Sequence, residues 1–421
     1  MTTGRSRNAE LLLPKLVTVL REGYDPGMLR SDLVAAITVA IVALPLSMAI
    51  AIASGVGPER GLYAAIVGGF LISLLGGSMF QIGGPAGAFI VLVATTVATH
   101  GIDGLLLVTA MSGVLMVLAG LLRLGSHVRL IPHPVVVGFT AGIATIIFVS
   151  QLHDLAGLRL AAAEPAALVP KLAALWQAGG SFNAAAVGMA IATVATIVLL
   201  RRHAPRAPSL LIAVTGAALL ALLLHAPIET IGTRFGGIPH GLPAPSLPDL
   251  SWQRMLTLLP LSLSFALLGA IESLLSAVVA DGMTGRQHRA NSELVAQGVA
   301  NIATSCFGGL CVTGTIARTA TNVRAGARTP VAGMLHAIVL LLFMLVAAPL
   351  VAFVPLAALA GVLVTVAWNM IERPAIIAML RNSRADALVL VVTLLLTVLH
   401  DLMLGIGAGT VLALALRRIR A

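Results

Sequence analysis

Apolar stretches of about 20 residues follow one another from Ser31 to Leu416 with only short polar breaks, and that succession leaves few folds open. Such a stretch makes a helix long enough to cross the hydrocarbon core of a bilayer. A soluble core cannot hold so many of them. Hydrophobic residues fill 58% of the 421 positions and charged ones only 10%, whereas a soluble chain carries roughly 25% charged residues. The mean hydropathy is +1.03. Transmembrane β-strands alternate apolar and polar residues, but Val187 to Leu200 is apolar on every side. The sequence therefore reads as an all-α, polytopic membrane protein.

The formal charge of +10 and a pI near 11.2 could signal nucleic-acid binding. The placement of the charge argues against it. Lys15 and Lys171 are the only lysines, and the arginines sit in small groups at the ends of apolar segments, where they hold topology. Cys306 and Cys311, spaced C-x4-C in apolar surroundings with no nearby histidine, fit neither a zinc site nor a disulfide. Met1 to Ala9 has two arginines but no apolar run ending in a small-residue cleavage site, so no cleaved signal peptide is expected.

An amphipathic piece, Glu10 to Tyr24, is expected to lie at the cytoplasmic interface. Fourteen candidate membrane segments follow, near 31–54, 58–76, 85–99, 104–122, 133–152, 184–200, 208–225, 254–280, 292–308, 315–324, 329–352, 355–371, 386–400 and 402–417. With both termini inside, twenty Lys and Arg fall in inside loops, and Arg60, Arg159, Lys171, Arg234 and Arg254 fall outside. This is the expected cytoplasmic bias, and it supports an even number of spans in a cytoplasmic (inner) membrane. Arg318 alone lands within the membrane.

Gly76–Gly77 ends the second segment and Gly308–Gly309 ends the ninth, 232 residues later. Each pair leads into a glycine-interrupted stretch and an undersized helix, QIGGPAGAFIVLVATTVAT and LCVTGTIARTATN. Seven spans per half is odd, so the halves form a 7+7 inverted repeat. Interrupted segments at matching positions of such halves point to a transporter's midplane site. The short helices are expected to begin near Pro85 and Thr315. A helix start carries unpaired N–H groups and about half a positive charge, so two facing starts make an anion cradle. Ala86, Gly87 and Ala88 on one side, and Thr315, Ile316 and Ala317 on the other, let an anion approach. Pro85 suits a first helical turn.

Arg318 would add a full charge beside the second start, facing a polar cavity rather than lipid, where it would cost at least about 2.5–3.5 kcal/mol. Glu272 is the matching acidic residue, with no other ionisable residue between Arg254 and Asp281. Proton uptake, Na+ coordination or pairing with Arg318 would each relieve its burial, and Ser276, one turn on, shares its face. His336, His133 and Asp103 read as helix-end or packing residues, and His400 with Asp401 as an outside turn. Pro45 and Pro132 are expected to kink or end helices. No nucleophile–base set, HExxH or P-loop occurs, so neither an enzyme nor an ATP-driven pump has a basis in the residues, and no cofactor is expected.

The run PLSMAIAIASGVGPERGLYAAIVGG (Pro45 to Gly69) and the longer ALLGAIESLLSAVVADGMTGRQHRANSELVAQGVANIATSCFGGLCVTGTIARTATNVRAGARTPVAG (Ala266 to Gly333) resemble the sulfate permease (SulP) family, the bacterial relatives of solute carrier family 26. The resemblance implies a fourteen-span inverted-repeat fold like that of uracil transporters. A core of spans 1–4 and 8–11 (31–125 and 252–353) would move against a gate of spans 5–7 and 12–14 (126–251 and 354–421), after a cytoplasmic segment 1–30. It also implies an anion site lined by Ser47 and Ile50, Ala86 to Ala88, Glu272 and Ser276, and Thr315 to Arg318. Sulfate, bicarbonate, chloride or dicarboxylates would be carried, often with H+ or Na+, in a homodimer normally aided by a C-terminal STAS domain. The chain stops at Ala421 after RRIR and reads as a membrane domain without STAS. Leu46 and Ile50 stand where many eukaryotic relatives place Gln and an aromatic, which makes this site less polar. A proton-coupled symporter is the leading expectation, with Na+-coupled symport and an uncoupled channel or exchanger as alternatives.

Overall fold

The computed structural model describes residues 12–125, 132–161, 164–165, 167–205, 207–400 and 402–420. Arg5, Arg7, the start of the Glu10 segment, Arg129, Arg206 and Asp401 lie outside the described residues. Each of the fourteen expected segments coincides with helix. Among the described residues, eight helical stretches are long and apolar enough to cross a bilayer, and Ser209–Leu223 and Leu402–Leu416 are shorter apolar helices. The third and fourth segments form one helical stretch, Ile90–Leu121, that turns at Gly101 with φ 69°, a left-handed conformation natural to glycine. Pro45 does not end its helix, which runs on through Pro26–Ala53, while Pro132 caps the start of His133–Ala156. Two short helices not anticipated as separate elements, Leu168–Gln177 and Arg373–Asn382, connect longer ones. Large apolar side chains such as Ile191, Leu223, Val346 and Val411 stay exposed, as surfaces solvated by lipid require.

The chain divides into two compact units, each drawn from both halves of the sequence. One comprises Met1–Val128 with Ile231–Phe353, the other Arg129–Thr230 with Val354–Ala421. The stretch 231–251 thus belongs with the first unit, not with the 126–230 block to which the resemblance joined it. Ser246 N donates to Cys306 O at 2.8 Å there.

In the second unit, Leu356–Met370 and Arg384–Leu399 pack on His133–Ala156. Close approach is made by small residues: a Cβ on Gly138 would press on Leu390 O, and one on Gly361 on Ala190 O. In the first unit, Ile90–Leu121 packs on Ala290–Cys306 through Gly113 and Gly298. Pro26–Ala53 packs on Val331–Val351.

Asp32, fully buried near the start of the first span, fastens that span to the turn before Val331. Its carboxylate accepts from Arg328 N (2.7 Å), Thr329 N (3.2 Å), Thr329 Oγ1 (2.5 Å) and the Tyr24 hydroxyl (3.2 Å). Burial, reinforced by the Asp32 charge, pushes the Tyr24 phenol up to about 12. Unsatisfied buried donors cost about 1–3 kcal/mol each. Asp32→Ala is therefore expected to destabilise the protein by about 3 kcal/mol, and Asp32→Asn by about half as much, because one acceptor survives. Thermal melts in detergent check this, and equal losses for the two variants would contradict it.

Candidate functional site

The interrupted third and tenth segments meet in the interior of the first unit. Gly83–Gly84 (β1) and Thr313–Gly314 (β2) form a two-stranded antiparallel pair, with Gly83 opposite Gly314 and Gly84 opposite Thr313. Exchanging 83 with 313 and 84 with 314 maps one pairing onto the other, as a two-fold relation between halves requires. Extended backbone at this depth survives only where protein satisfies it, and here it is satisfied. Thr315 N donates to Ile82 O (3.1 Å), Ile82 N to Thr319 Oγ1 (3.1 Å), and Val312 N to Asn301 Oδ1 (2.9 Å) while Asn301 Nδ2 returns a bond to Val312 O (2.8 Å).

Beyond each strand the chain enters a helix. Ala86 and Thr315 are extended N-cap residues, and no side chain caps either start. The first helix begins two residues later than the sequence suggests, as a 3-10 turn over Gly87–Phe89, and Pro85 stays in the strand–helix link. Free first-turn N–H groups make both starts electropositive. Thr315 and Gly87 are partly exposed, Ile316 and Ala317 are exposed, and Ala86 and Ala88 are buried. Of the two helix starts, the accessible one is thus mainly the second.

Arg318 is wholly enclosed rather than open to a cavity. Its Nη2 donates to Ser47 Oγ (3.1 Å) and to Pro85 O (3.3 Å), so it ties the first span to the link before the opposite helix. A Cβ on Gly84 would overlap Nη1, which explains glycine at that position. The charge acts on the helix starts from behind. No ion pair joins it to Glu272 among the described residues, and Nε and Nη1 have no hydrogen-bond partner.

The Trp252–Thr284 helix presents one polar face to this crossing. Gly269 O accepts from Thr313 Oγ1 (3.0 Å), Ser273 Oγ from Gln81 Nε2 (2.8 Å), and Ser276 Oγ donates to Thr319 Oγ1 (3.0 Å). Glu272, three residues after Gly269 and four before Ser276, sits on the same face and is buried. Ile50 is buried one turn after Ser47. The residues Gln81, Ser273, Thr313 and Thr319 escaped the sequence reading. Their signal was polarity at helical spacing in 269–276 and 313–322, which is modest beside that of a lone arginine. A cleft of about 670 Å³ elsewhere on the unit holds none of these residues. It sets Glu59 and Asp103 beside Arg60, whose Nη1 is already bonded to Gly308 O (2.6 Å), so it offers little to an anion. Among the described residues no group of three His, Cys, Asp or Glu could hold a metal ion.

The sulfate permease family model matches residues 29–393. The "Putative sulfate transporter YvdB" of Bacillus subtilis is 44% identical over 393 residues, covering 93% of this chain and 74% of its own length. The bicarbonate transporter BicA of Synechocystis is 34% identical, covering 91% and 69%. Among solved structures, the transmembrane domain of a cyanobacterial BicA superposes with a TM-score of 0.78 at 30% identity, over 92% of this chain and 97% of that one. SLC26A9 superposes at 0.87 with 18% identity, over 99% and 70%, a likeness of fold. With its paired half-helices set inside such a fold, the chain belongs to the sulfate permease family, whose members here are sulfate- and bicarbonate-type anion transporters embedded in the membrane.

Proposed function

We propose that the protein is a proton-coupled symporter of a small oxyanion or dicarboxylate, of the sulfate or bicarbonate type, working by alternating access. The observation that carries this reading is the pair of uncapped helix starts backed by Arg318, for whose charge no acidic counterpart stands among the described residues. An anion at Gly87 and at Thr315 to Ala317 would complete the electrostatics. Ser47 holds the arginine, and Ile50, Ala86 and Ala88 keep the surroundings small and dry. Glu272 is the coupling group. A carboxyl group can take up and release a proton, and among the described residues no ion pair holds Glu272 to a cation. Na+ coordination is the second reading: Ser276 Oγ donates its proton to Thr319 and keeps its lone pairs, so it could serve a cation, but few other oxygen ligands accompany Glu272 on this face. The arginine bias supports a cytoplasmic-membrane location with both termini inside.

Uptake of radiolabelled sulfate, bicarbonate, chloride and dicarboxylates into proteoliposomes, driven separately by pH and Na+ gradients, tests the proposal. An acid-outside gradient is expected to drive accumulation of one of these anions. Glu272→Gln, a permanently neutral mimic, is expected to remove the response to pH and leave only downhill flux. Uptake that follows Na+ alone, or a Glu272→Gln protein that still concentrates anion on a pH gradient, would rule out the proton role.

A further inference from the structure

The fully buried His336 lies in the Val331–Val351 helix; the Gly333 carbonyl, one turn back, stands near its ring, but neither ring nitrogen has a partner in hydrogen-bond geometry. Nitrogens in this condition are rare in folded proteins and call for an explanation. Arg318 carries two more such nitrogens, Nε and Nη1, equally buried and equally unpartnered. Two enclosed side chains, one near Gly83 and one near Gly84, thus carry four unsatisfied nitrogens beside β1.

The surroundings are built from the smallest residues. A Cβ on Gly69 would stand 3.0 Å from Gly83 O and 4.0 Å from His336 Cε1, and one on Gly84 would overlap Arg318 Nη1 and lie 3.7 Å from Ala65 Cα. Both side chains thus flank β1 where it rests on the second span. That span is a π-helix there, Ala64–Gly68, and such dilated turns are frequent at functional sites. Further along the same span, Ser73 bonds Gln81 O only weakly at 3.5 Å.

We propose that Arg318 and His336 share a buried water-binding site beside β1, which makes His336 the positioning residue for the arginine. The chemistry selects water. The guanidinium offers only donors, whereas a neutral imidazole offers one donor and one acceptor. One water can accept from Arg318 and donate to the acceptor nitrogen of His336. An imidazolium would instead set a second positive charge beside the first with no acid to balance it, and an anion cannot enter a place where neither side chain is accessible. Held from both sides, by Ser47 and Pro85 through Nη2 and by the water through Nε or Nη1, the guanidinium keeps its direction when the anion leaves.

The functional half of this inference rests on the anion-binding role proposed for Arg318, so its test includes a readout that does not. A high-resolution structure of the full chain is expected to show an ordered water within hydrogen-bond distance of Arg318 and of a His336 nitrogen. In proteoliposomes given whichever anion the parent protein accumulates, His336→Leu is expected to raise KM about tenfold, with a smaller change in maximal rate. His336→Gln, which keeps an acceptor, is expected to restore KM to within about twofold. A map that resolves other buried waters but none here would overturn the site, and so would an unchanged KM in His336→Leu. Should His336→Leu fail to fold, the map and His336→Gln still decide, and a tenfold rise in the Gln variant counts against the proposal. If Arg318→Gln transports normally, the anion-binding reading falls. If Arg318→Gln is inactive and His336→Leu is normal, only the water site falls.

Discussion

Exchanging Arg318 for methionine is expected to cut anion uptake by about 100-fold while leaving the protein about as heat-stable as its parent. The first part follows from the charge. A unit charge that acts on the anion from roughly 6–8 Å away, without touching it, contributes about 2–3 kcal/mol at an effective dielectric near 20, each 1.4 kcal/mol is about a factor of ten, and among the described residues no other arginine or lysine bonds to the links before the two helix starts. The second part follows from what the arginine costs. Placing it at this depth is unfavourable by at least about 2.5–3.5 kcal/mol, and methionine removes that penalty. Against it stand two lost bonds. Ser47 Oγ keeps its bond to Ala43 O at 2.7 Å, so only Pro85 O is left without a partner, at about 1–3 kcal/mol. The two effects nearly cancel. Arg318→Lys keeps the charge but not the planar fork, and partial uptake is expected. Paired thermal melts and initial uptake rates check this. A methionine variant that unfolds would make Arg318 a structural residue, and one that transports normally would remove it from the site.

Gly298→Val is expected to have the largest effect on folding. A Cβ at Gly113 would stand 2.6 Å from Gly298 O, and one at Gly298 would run into Gly113 O with Val117 N 2.7 Å away. Backbone sits on both sides, so no side chain can swing clear. Alanine in place of glycine gains about 1 kcal/mol of helix propensity, but overpacking costs about 1–3 kcal/mol or more, and here two helices in backbone contact must separate. Gly298→Ala is expected to lose about 2 kcal/mol, and Gly298→Val to give no monodisperse protein. Gly188 and Gly216 have nothing within 4 Å of an added Cβ, so alanine there is expected to be neutral or slightly stabilising. Size-exclusion profiles and melts of the four variants test the contrast. A monodisperse Gly298→Val protein would show that the crossing has more room than its backbone geometry allows.

Much of the fold was legible because lipid imposes a local rule. Each span must satisfy its own backbone and present apolar side chains, so Ser31 to Leu416 announces its helices without reference to what they touch. The two interrupted helices were legible for the same reason, since QIGGPAG and VTGT cannot form uninterrupted spans as they stand. Arg318 and Glu272 stood out as charges in apolar runs. Their surroundings did not. That Arg318 would bond Ser47 and Pro85 and leave Glu272 alone could not be read from spacing, and neither could the roles of Thr319, Gln81 and Asn301. His336 looked like a packing residue because a lone histidine in an apolar helix has no sequence neighbour to suggest otherwise. Asp32, one of several charges near the first span, gave no sign that it would gather four donors.

By itself, the sequence determined the solvent of this chain, the succession of its helices and the two places where spans are cut short, because those properties depend on residues within about 20 positions of one another. Only the tertiary structure decided how the cut ends pair, where the buried guanidinium points and which polar atoms stay without partners. Those outcomes join residues some 230 positions apart, where the choice among contacts is made by the packing of whole helices and leaves no mark in any local pattern.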